Sequence, residues 1–232
     1  MATYVLIHGA GDVGWYWHLV ERELRTRGHG VVVMDLPVDD DAATLSDYAD
    51  TVVRAIGDRR KDLTVVAQSY GGYVAPIVCD RVQAQLLVLV APMIPSPAES
   101  VDQMLVNTGF NEAERPEAGD WDELAMFYHD VPRKLAEEAR SRSRRQSEAT
   151  ATEPFPLATW PDVPTAVIVG RHDRLFPVAW LREVVRQRLG TEPHEIDSGH
   201  TPALSRPVGL TDLMERIRTQ PVDPGTRLPP GR

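Results

Sequence analysis

The sequence has little of several residue types, and each scarcity excludes a class of protein. Among 232 residues there is one cysteine, Cys79, which excludes an internal disulfide and a paired-cysteine metal or redox site. The 25 lysine and arginine residues are outnumbered by 34 aspartate and glutamate residues. No basic cluster is interleaved with aromatic residues, so binding to nucleic acid is not expected. The longest apolar run, Leu86–Ile94, is about half as long as a membrane span.

The composition and the first residues indicate the class of protein and its compartment. With 42% hydrophobic and 25% charged residues, the chain has the make-up of a globular domain that buries its core without disulfides. The start, Met1–Tyr4, lacks the basic region that precedes an export signal. We therefore expect a cytoplasmic protein that does not associate with membranes, and the pattern leaves its oligomeric state open.

Short apolar runs alternate with amphipathic segments along the chain. The runs of strand length are Tyr4–Ile7, Val31–Met34, Leu63–Ala67, Leu86–Val90, Thr165–Val169 and Glu195–Ile196. Apolar residues at helical spacing lie between most of these runs, and Thr44 with Asp47 predicts a capped helix start. Continuous apolar strands separated by helices are typical of a parallel sheet covered on both faces. We predict a doubly wound α/β fold with a mainly parallel sheet of about six strands.

One long segment interrupts this alternation. Residues 93–160 contain no strand of the same kind, so they are predicted to form a small lid inserted into a core of residues 1–92 and 161–219. The sequence around Trp121, Leu124 and Tyr128 favours a helix within this lid. Residues 220–232, rich in proline and glycine, are predicted to form a mobile tail.

A serine follows the third predicted strand in the setting of a nucleophile elbow. The strand leads directly into Gln68-Ser69-Tyr70-Gly71-Gly72 and then into a helical segment. This strained turn requires small residues two positions before and after the serine, and Ala67 and Gly71 meet the requirement. Pro76 is expected to kink the following helix. An ordinary glycine-rich loop that carries a serine is the alternative.

A serine nucleophile needs a histidine base and a carboxylate that orients it. Asp173 follows the fifth predicted strand and His200 follows the sixth, so both are expected at the edge of the sheet where Ser69 lies. The reaction also needs two N–H donors for the developing oxyanion. The backbone amides of Ala10, after the first strand, and Tyr70, after the serine, are predicted to supply them.

The remaining polar residues do not indicate a metal or cofactor site. No group of His, Asp and Glu has the spacing of metal ligands, and no glycine-rich phosphate loop follows a strand. We therefore expect no cofactor. His129 in the lid is a candidate pocket residue, with packing inside the lid as the alternative.

These motifs resemble those of the α/β-hydrolase superfamily, in particular small-lid esterases similar to plant methylesterases and hydroxynitrile lyases and to their bacterial relatives. The likeness covers nearly the whole chain, through the opening Tyr4–Ala10, the elbow Gln68–Gly72, the acid loop Asp173–Pro177 and the histidine loop from Gly199 to Pro207. It implies the α/β-hydrolase fold and an apolar lid strand near Met126–Tyr128.

Three departures from this family bear on the reaction. Hydroxynitrile lyases of this type carry threonine at the position of Gly9 and a lysine soon after the catalytic histidine, where this chain has Thr201-Pro202-Ala203. The resemblance therefore implies hydrolysis rather than the lyase reaction. Asp12 stands where plant members usually carry histidine, which changes the polarity near the mouth of the pocket.

The sequence thus predicts a serine hydrolase whose substrate is a small, largely apolar carboxylic ester, such as a methyl ester or a lactone. The expected pocket residues are Met93, Trp121, Phe127, Tyr128 and His129. Two alternatives stay open. One is a non-catalytic, receptor-like module that binds a ligand on the same fold, and the other is lyase, perhydrolase or thioesterase chemistry on the same triad.

Overall fold

The computed structural model describes residues 1–113 and 122–220. Its strands are β1 Thr3–Ile7, β2 Gly30–Val33, β3 Leu63–Gln68, β4 Leu86–Val90, β5 Thr165–Gly170 and β6 His194–Ile196. They form one sheet in the order β2-β1-β3-β4-β5-β6, and each pair of neighbours is parallel. The predicted α/β-hydrolase fold with a parallel sheet of about six strands is confirmed.

The helices alternate with the strands as the apolar spacing predicts. In the core they are α1 His18–Thr26, α2 Leu45–Ile56, α3 Ala75–Arg81, α8 Val178–Leu189, α9 Pro202–Ser205 and α10 Pro207–Thr219. Between β4 and β5 lie α4 Val101–Asn107, α5 Glu123–Phe127, α6 Arg133–Arg142 and α7 Ala149–Thr152. Short 3-10 turns cover Gly14–Trp17, Ser69–Tyr73 and Phe110–Glu112.

The starts of two helices test the local predictions. At α2, the Asp47 amide donates to the Thr44 hydroxyl at 3.2 Å and the Thr44 amide donates to the Asp47 carboxylate at 2.9 Å, so the predicted cap is confirmed. The prediction that Pro76 kinks a helix is wrong. A 3-10 turn follows Ser69, and α3 begins only at Ala75, which puts Pro76 in the first helical turn, where its missing N–H removes no intrahelical bond.

The sheet separates two apolar layers. Successive residues of a strand point to opposite faces, and in β3 the side chains of Val65 and Ala67 lie in one layer while that of Val66 lies in the other. Helices α2 and α8 pack on the first layer, and α1 and α10 pack on the second. Every residue of β3 and β4 is buried, which explains why their sequences are mainly apolar rather than alternating.

The segment between β4 and β5, which is predicted to form a lid, contains helices in its described part. Helix α5, Glu123–Phe127, occupies the position where the family resemblance implies a strand, so the helix favoured by the sequence pattern is observed instead. Trp121, one of the expected pocket residues, lies outside the described residues, as does nearly all of the predicted tail. No helix of the described ranges has both the length and the apolar character that crossing a membrane requires.

Candidate active site

Ser69 lies at the sharp turn between β3 and the 3-10 turn that precedes α3. Its φ of 51° is in the left-handed region, a conformation that costs a residue with a side chain about 1–2 kcal/mol. A Cβ atom at Gly71 would lie 3.0 Å from the His8 carbonyl oxygen and 3.3 Å from the Ala67 Cβ atom. The turn is therefore strained and crowded, as a nucleophile elbow requires.

His200 and Asp173 form a buried pair. The Nδ1 atom of His200 donates to Oδ2 of Asp173 at 2.8 Å, and both side chains are almost fully buried. The other carboxylate oxygen accepts the backbone amides of Leu175 and Phe176, each at 2.9 Å. These bonds hold the carboxylate as an acceptor, so the Nδ1 atom is the donor of this bond and the Nε2 atom is the ring nitrogen left for another partner. The neighbouring His172 instead contacts Asp197 at 2.7 Å on the surface.

His200 and Ser69 line the same cavity. This space, called the catalytic cavity after these two candidate residues, has a volume of about 160 Å³. The Nε2 atom is buried and has no hydrogen-bond partner among the described residues. The residues that line the cavity are Ala10, Gly11, Asp12, Gln68, Ser69, Glu123, Phe127, Tyr128, Ser143, Arg144, His200 and Thr201.

The amide of Ala10 is held in place through His8. Because the Leu36 amide donates to Nε2 of His8 at 3.0 Å, Nδ1 carries the ring proton and donates to the Gly9 carbonyl at 2.9 Å. Burial lowers the pKa of His8 to about 4, which keeps the ring neutral. In a trans peptide the carbonyl and the next N–H point in opposite directions, so the bond to Gly9 also fixes the direction of the Ala10 amide.

The Ala10 amide donates to no acceptor among the described residues and lies in the cavity wall. Tyr70 is in the first turn after Ser69, where backbone N–H groups have no partner inside the helical turn. Both amides are available as the predicted oxyanion donors, but only Ala10 is among the residues that line the cavity. Sequence reasoning missed the part that His8 plays in orienting the Ala10 amide.

Comparison with known proteins identifies the family. The model of the alpha/beta hydrolase family matches residues 4–213. The chain belongs to the alpha/beta hydrolase family. The predicted resemblance to plant methylesterases and hydroxynitrile lyases is also confirmed, as the following likenesses show.

Among relatives, the chain is 28% identical to methylesterase 18 of Arabidopsis thaliana over 45% of its own length and 44% of that protein, so it spans less than half of this relative. It is 22% identical to an alpha-hydroxynitrile lyase of the same plant over 93% of this chain and 96% of that protein. The fold is similar to the crystal structure of polyneuridine aldehyde esterase, with a TM-score of 0.79 and 20% identity over 94% of this chain and 99% of that chain.

The expected pocket residues of this α/β hydrolase fall into two groups. Phe127 and Tyr128 line the catalytic cavity, and the Phe127 ring lies 5.3 Å from the His200 ring. Met93 and His129 are not among the lining residues. The Met93 amide donates to the Ser69 carbonyl at 3.0 Å, and His129 packs beside Gly199, so both contact the loops that carry Ser69 and His200 without lining the cavity.

The segment predicted to form the lid is bonded to the loops that follow β1 and β6, which the sequence did not reveal. On the oxyanion loop, the Gly11 amide donates to the Gln146 side chain at 3.0 Å and the Gly11 carbonyl accepts the Arg144 amide at 2.7 Å. On the histidine loop, the Gly199 amide donates to Asp130 at 2.8 Å. These contacts join residues far apart in sequence, so no local pattern marks them.

Charged residues also line the catalytic cavity. Asp12 and Glu123 contribute carboxylates, and Arg144 contributes a guanidinium group that donates to Asp39 at 3.1 Å. Burial raises the pKa of Asp12 to about 7, and the nearby charges of Asp35 and Glu123 act in the same direction. Within residues 1–113 and 122–220, no group of three His, Cys, Asp or Glu residues is arranged to hold a metal ion.

Proposed function

We propose that this α/β hydrolase cleaves a small carboxylic ester by serine catalysis. The observation that carries the proposal is the convergence of two groups on one cavity: the strained Ser69 and the unpartnered Nε2 atom of His200, whose ring is held by buried Asp173. A serine at φ 51° in a crowded turn is costly for folding alone, and a role as nucleophile accounts for it.

In the proposed reaction, the Ser69 hydroxyl attacks the ester carbonyl carbon and gives its proton to Nε2 of His200. Asp173 stabilises the imidazolium ion, while the amides of Ala10 and Tyr70 bind the oxyanion. Collapse of the tetrahedral intermediate expels the alcohol, which receives the proton from His200. His200 then activates a water molecule that hydrolyses the acyl-enzyme, releases the acid and restores Ser69.

Two further observations support ester hydrolysis of a small substrate. Relatives of this chain include methylesterase 18, and its fold matches that of polyneuridine aldehyde esterase. The cavity of about 160 Å³ suits a small acyl or alcohol group, and Phe127 and Tyr128 provide apolar contact. Its carboxyl groups make the cavity more polar than the largely apolar pocket expected from the sequence.

Covalent labelling tests the proposal most directly. After incubation with an organophosphonate or a sulfonyl fluoride, intact mass and peptide mapping should show one adduct on Ser69, with parallel loss of p-nitrophenyl acetate and butyrate turnover. Ser69→Ala should lower kcat by roughly 10⁴ to 10⁶ and leave Tm nearly unchanged, because the nucleophile rather than packing is lost.

Ser141→Ala is the matched control, because Ser141 is an exposed serine of α6 that does not line the cavity and lies outside the proposed triad. It should retain turnover and labelling. The double variant Ser69→Ala/His200→Ala should lose little more activity than either single variant, since the two residues act as a unit. Unlabelled Ser69 with unchanged turnover in Ser69→Ala would contradict the proposal, and an unlabelled, inactive protein would favour a ligand-binding module.

A further inference from the structure

The catalytic cavity contains negative charge that the described part of the chain leaves uncompensated. Asp12 and Glu123 both line it. The Asp12 carboxylate accepts one bond, from the adjacent Val13 amide at 2.9 Å, and neither acid forms an ion pair with a described residue. Half-buried carboxylates in proteins usually have a cation or several donors as partners. These two have neither.

Arg144 is the one lysine or arginine among the described residues that line the cavity, and it is bonded to other groups. Arg144 lines the cavity, but its guanidinium group donates to the Asp39 carboxylate and to the Leu36 carbonyl. It is therefore anchored to the loop after β2 rather than paired with Asp12 or Glu123. Burial is the main cause of the raised pKa of Asp12, and the charges of Asp35 and Glu123 contribute in the same direction.

The cavity is a ligand site on independent grounds. The Nε2 atom of His200 is buried and unpartnered within the described residues, and His200 and Ser69 both line this space. A substrate held for attack by Ser69 therefore occupies the space that the two carboxyl groups border. A positive charge on that substrate would give both carboxylates the partner that the chain does not provide.

We propose that the ester substrate of this enzyme carries a cationic group, which Asp12 and Glu123 bind beside the triad. The inference rests on the proposed ester hydrolysis and specifies its substrate class. The two carboxylates make the charge of the substrate a determinant of selectivity. A neutral ester of the same shape would leave both acids unpaired.

A matched pair of esters tests the charge alone. Acetylcholine and 3,3-dimethylbutyl acetate have nearly the same shape, but a carbon atom replaces the quaternary nitrogen in the second. At pH 8, above the pKa of about 7 of Asp12, the unmodified protein should show a kcat/KM ratio of cationic to neutral ester of about 10. Asp12→Asn should reduce this ratio to about 1–2, and Glu123→Gln should reduce it about threefold.

Asp122→Asn is the control for these variants. Asp122 is the acid next to Glu123, but it is exposed, caps α5 through the Leu124 amide and is not part of the cavity wall. The ratio should therefore stay at its original value. A ratio near 1 in the unmodified protein, or a ratio that Asp12→Asn and Glu123→Gln leave unchanged, would overturn the inference.

A binding measurement separates failure of this inference from failure of the proposed function. Choline and 3,3-dimethylbutanol differ only in the charged centre, and calorimetric titration measures their affinities without turnover. We expect choline to bind about tenfold more tightly, and the difference to disappear in Asp12→Asn. Equal rates of hydrolysis of both esters, with equal affinities for choline and 3,3-dimethylbutanol, would refute only the cationic substrate class. An unlabelled Ser69 would instead refute ester hydrolysis, and the choline titration would still decide the charge preference.

Discussion

Asp130 offers a sharp test of how the lid supports the triad. One of its carboxylate oxygens accepts the Gly199 amide at 2.8 Å, immediately before the base His200. The approach is close, since a Cβ atom at Gly199 would lie 2.8 Å from the other carboxylate oxygen of Asp130. We predict that Asp130 is a positioning residue, which acts by fixing the histidine loop rather than by touching the substrate.

The size of the effect follows from the bond that is lost. A hydrogen bond to a charged acceptor contributes about 1.5–3 kcal/mol, and the bond from Gly199 is partly buried. Asp130→Ala should therefore lower the free energy of unfolding by about 2 kcal/mol. The freed loop should misplace His200 and reduce kcat by about 10- to 100-fold with little change in KM, since about 1.4 kcal/mol corresponds to a factor of ten.

Two variants distinguish positioning from a general loss of stability. Asp130→Asn keeps an oxygen that accepts the Gly199 amide, so it should restore most of kcat. Asp122→Ala removes a carboxylate that also bonds a backbone amide of the lid, that of Leu124 at 3.0 Å, but that is remote from the histidine loop. Urea unfolding and p-nitrophenyl acetate kinetics give both readouts. An unchanged kcat in Asp130→Ala, or an equal loss in Asp122→Ala, would refute the reasoning.

Two further predictions concern stability as a function of pH. Burial raises the pKa of Asp12 from 3.8 to about 7, so its ionisation destabilises the folded state as pH rises between these values. Asp12→Asn should therefore stabilise the protein at pH 8 by at most about 4 kcal/mol, and by less where water in the cavity screens the charge. At pH 4 it should have almost no effect. An equal gain in the free energy of urea unfolding at both pH values would contradict this. Burial opposes the ionisation of Glu99, but hydrogen bonds from Arg188 and Asn107 outweigh it and hold the pKa of Glu99 below its usual range. The stabilisation from ionised Glu99 is present above its unfolded pKa and is lost as pH falls. Glu99→Gln should therefore lower the free energy of unfolding by about 3 kcal/mol at pH 7 and by much less at pH 3. A loss that is independent of pH would show that charge is not involved.

The fold and the triad candidates could be predicted because their signals are local. A buried run such as Leu63–Ala67 followed by small residues around Ser69 marks a strand and a sharp turn within a few residues. Asp173 and His200 each follow a strand, and a parallel sheet brings such loops to one edge. The order of the strands then places these loops near each other, so this prediction requires no knowledge of how distant side chains contact each other.

The support of the site could not be predicted because it depends on distant contacts. The Gly11 amide bonds Gln146, which is 135 residues away, and Gly199 bonds Asp130, which is 69 residues away. In the sequence, Gln146 and Asp130 are ordinary polar residues of the segment between β4 and β5. Pro76 shows a different kind of error, in which the predicted start of a helix is wrong by a few residues. The 3-10 turn after Ser69 means that α3 begins only at Ala75.

The structure of the lid explains why the triad alone does not define a substrate. The segment that supplies Phe127 and Glu123 to the cavity wall also supplies Asp130 to the histidine loop. A change of lid sequence therefore alters the chemistry of the wall and the support of the base together. The acids that border the cavity of this chain, rather than its Ser-His-Asp geometry, are consequently the features from which its substrate has to be derived.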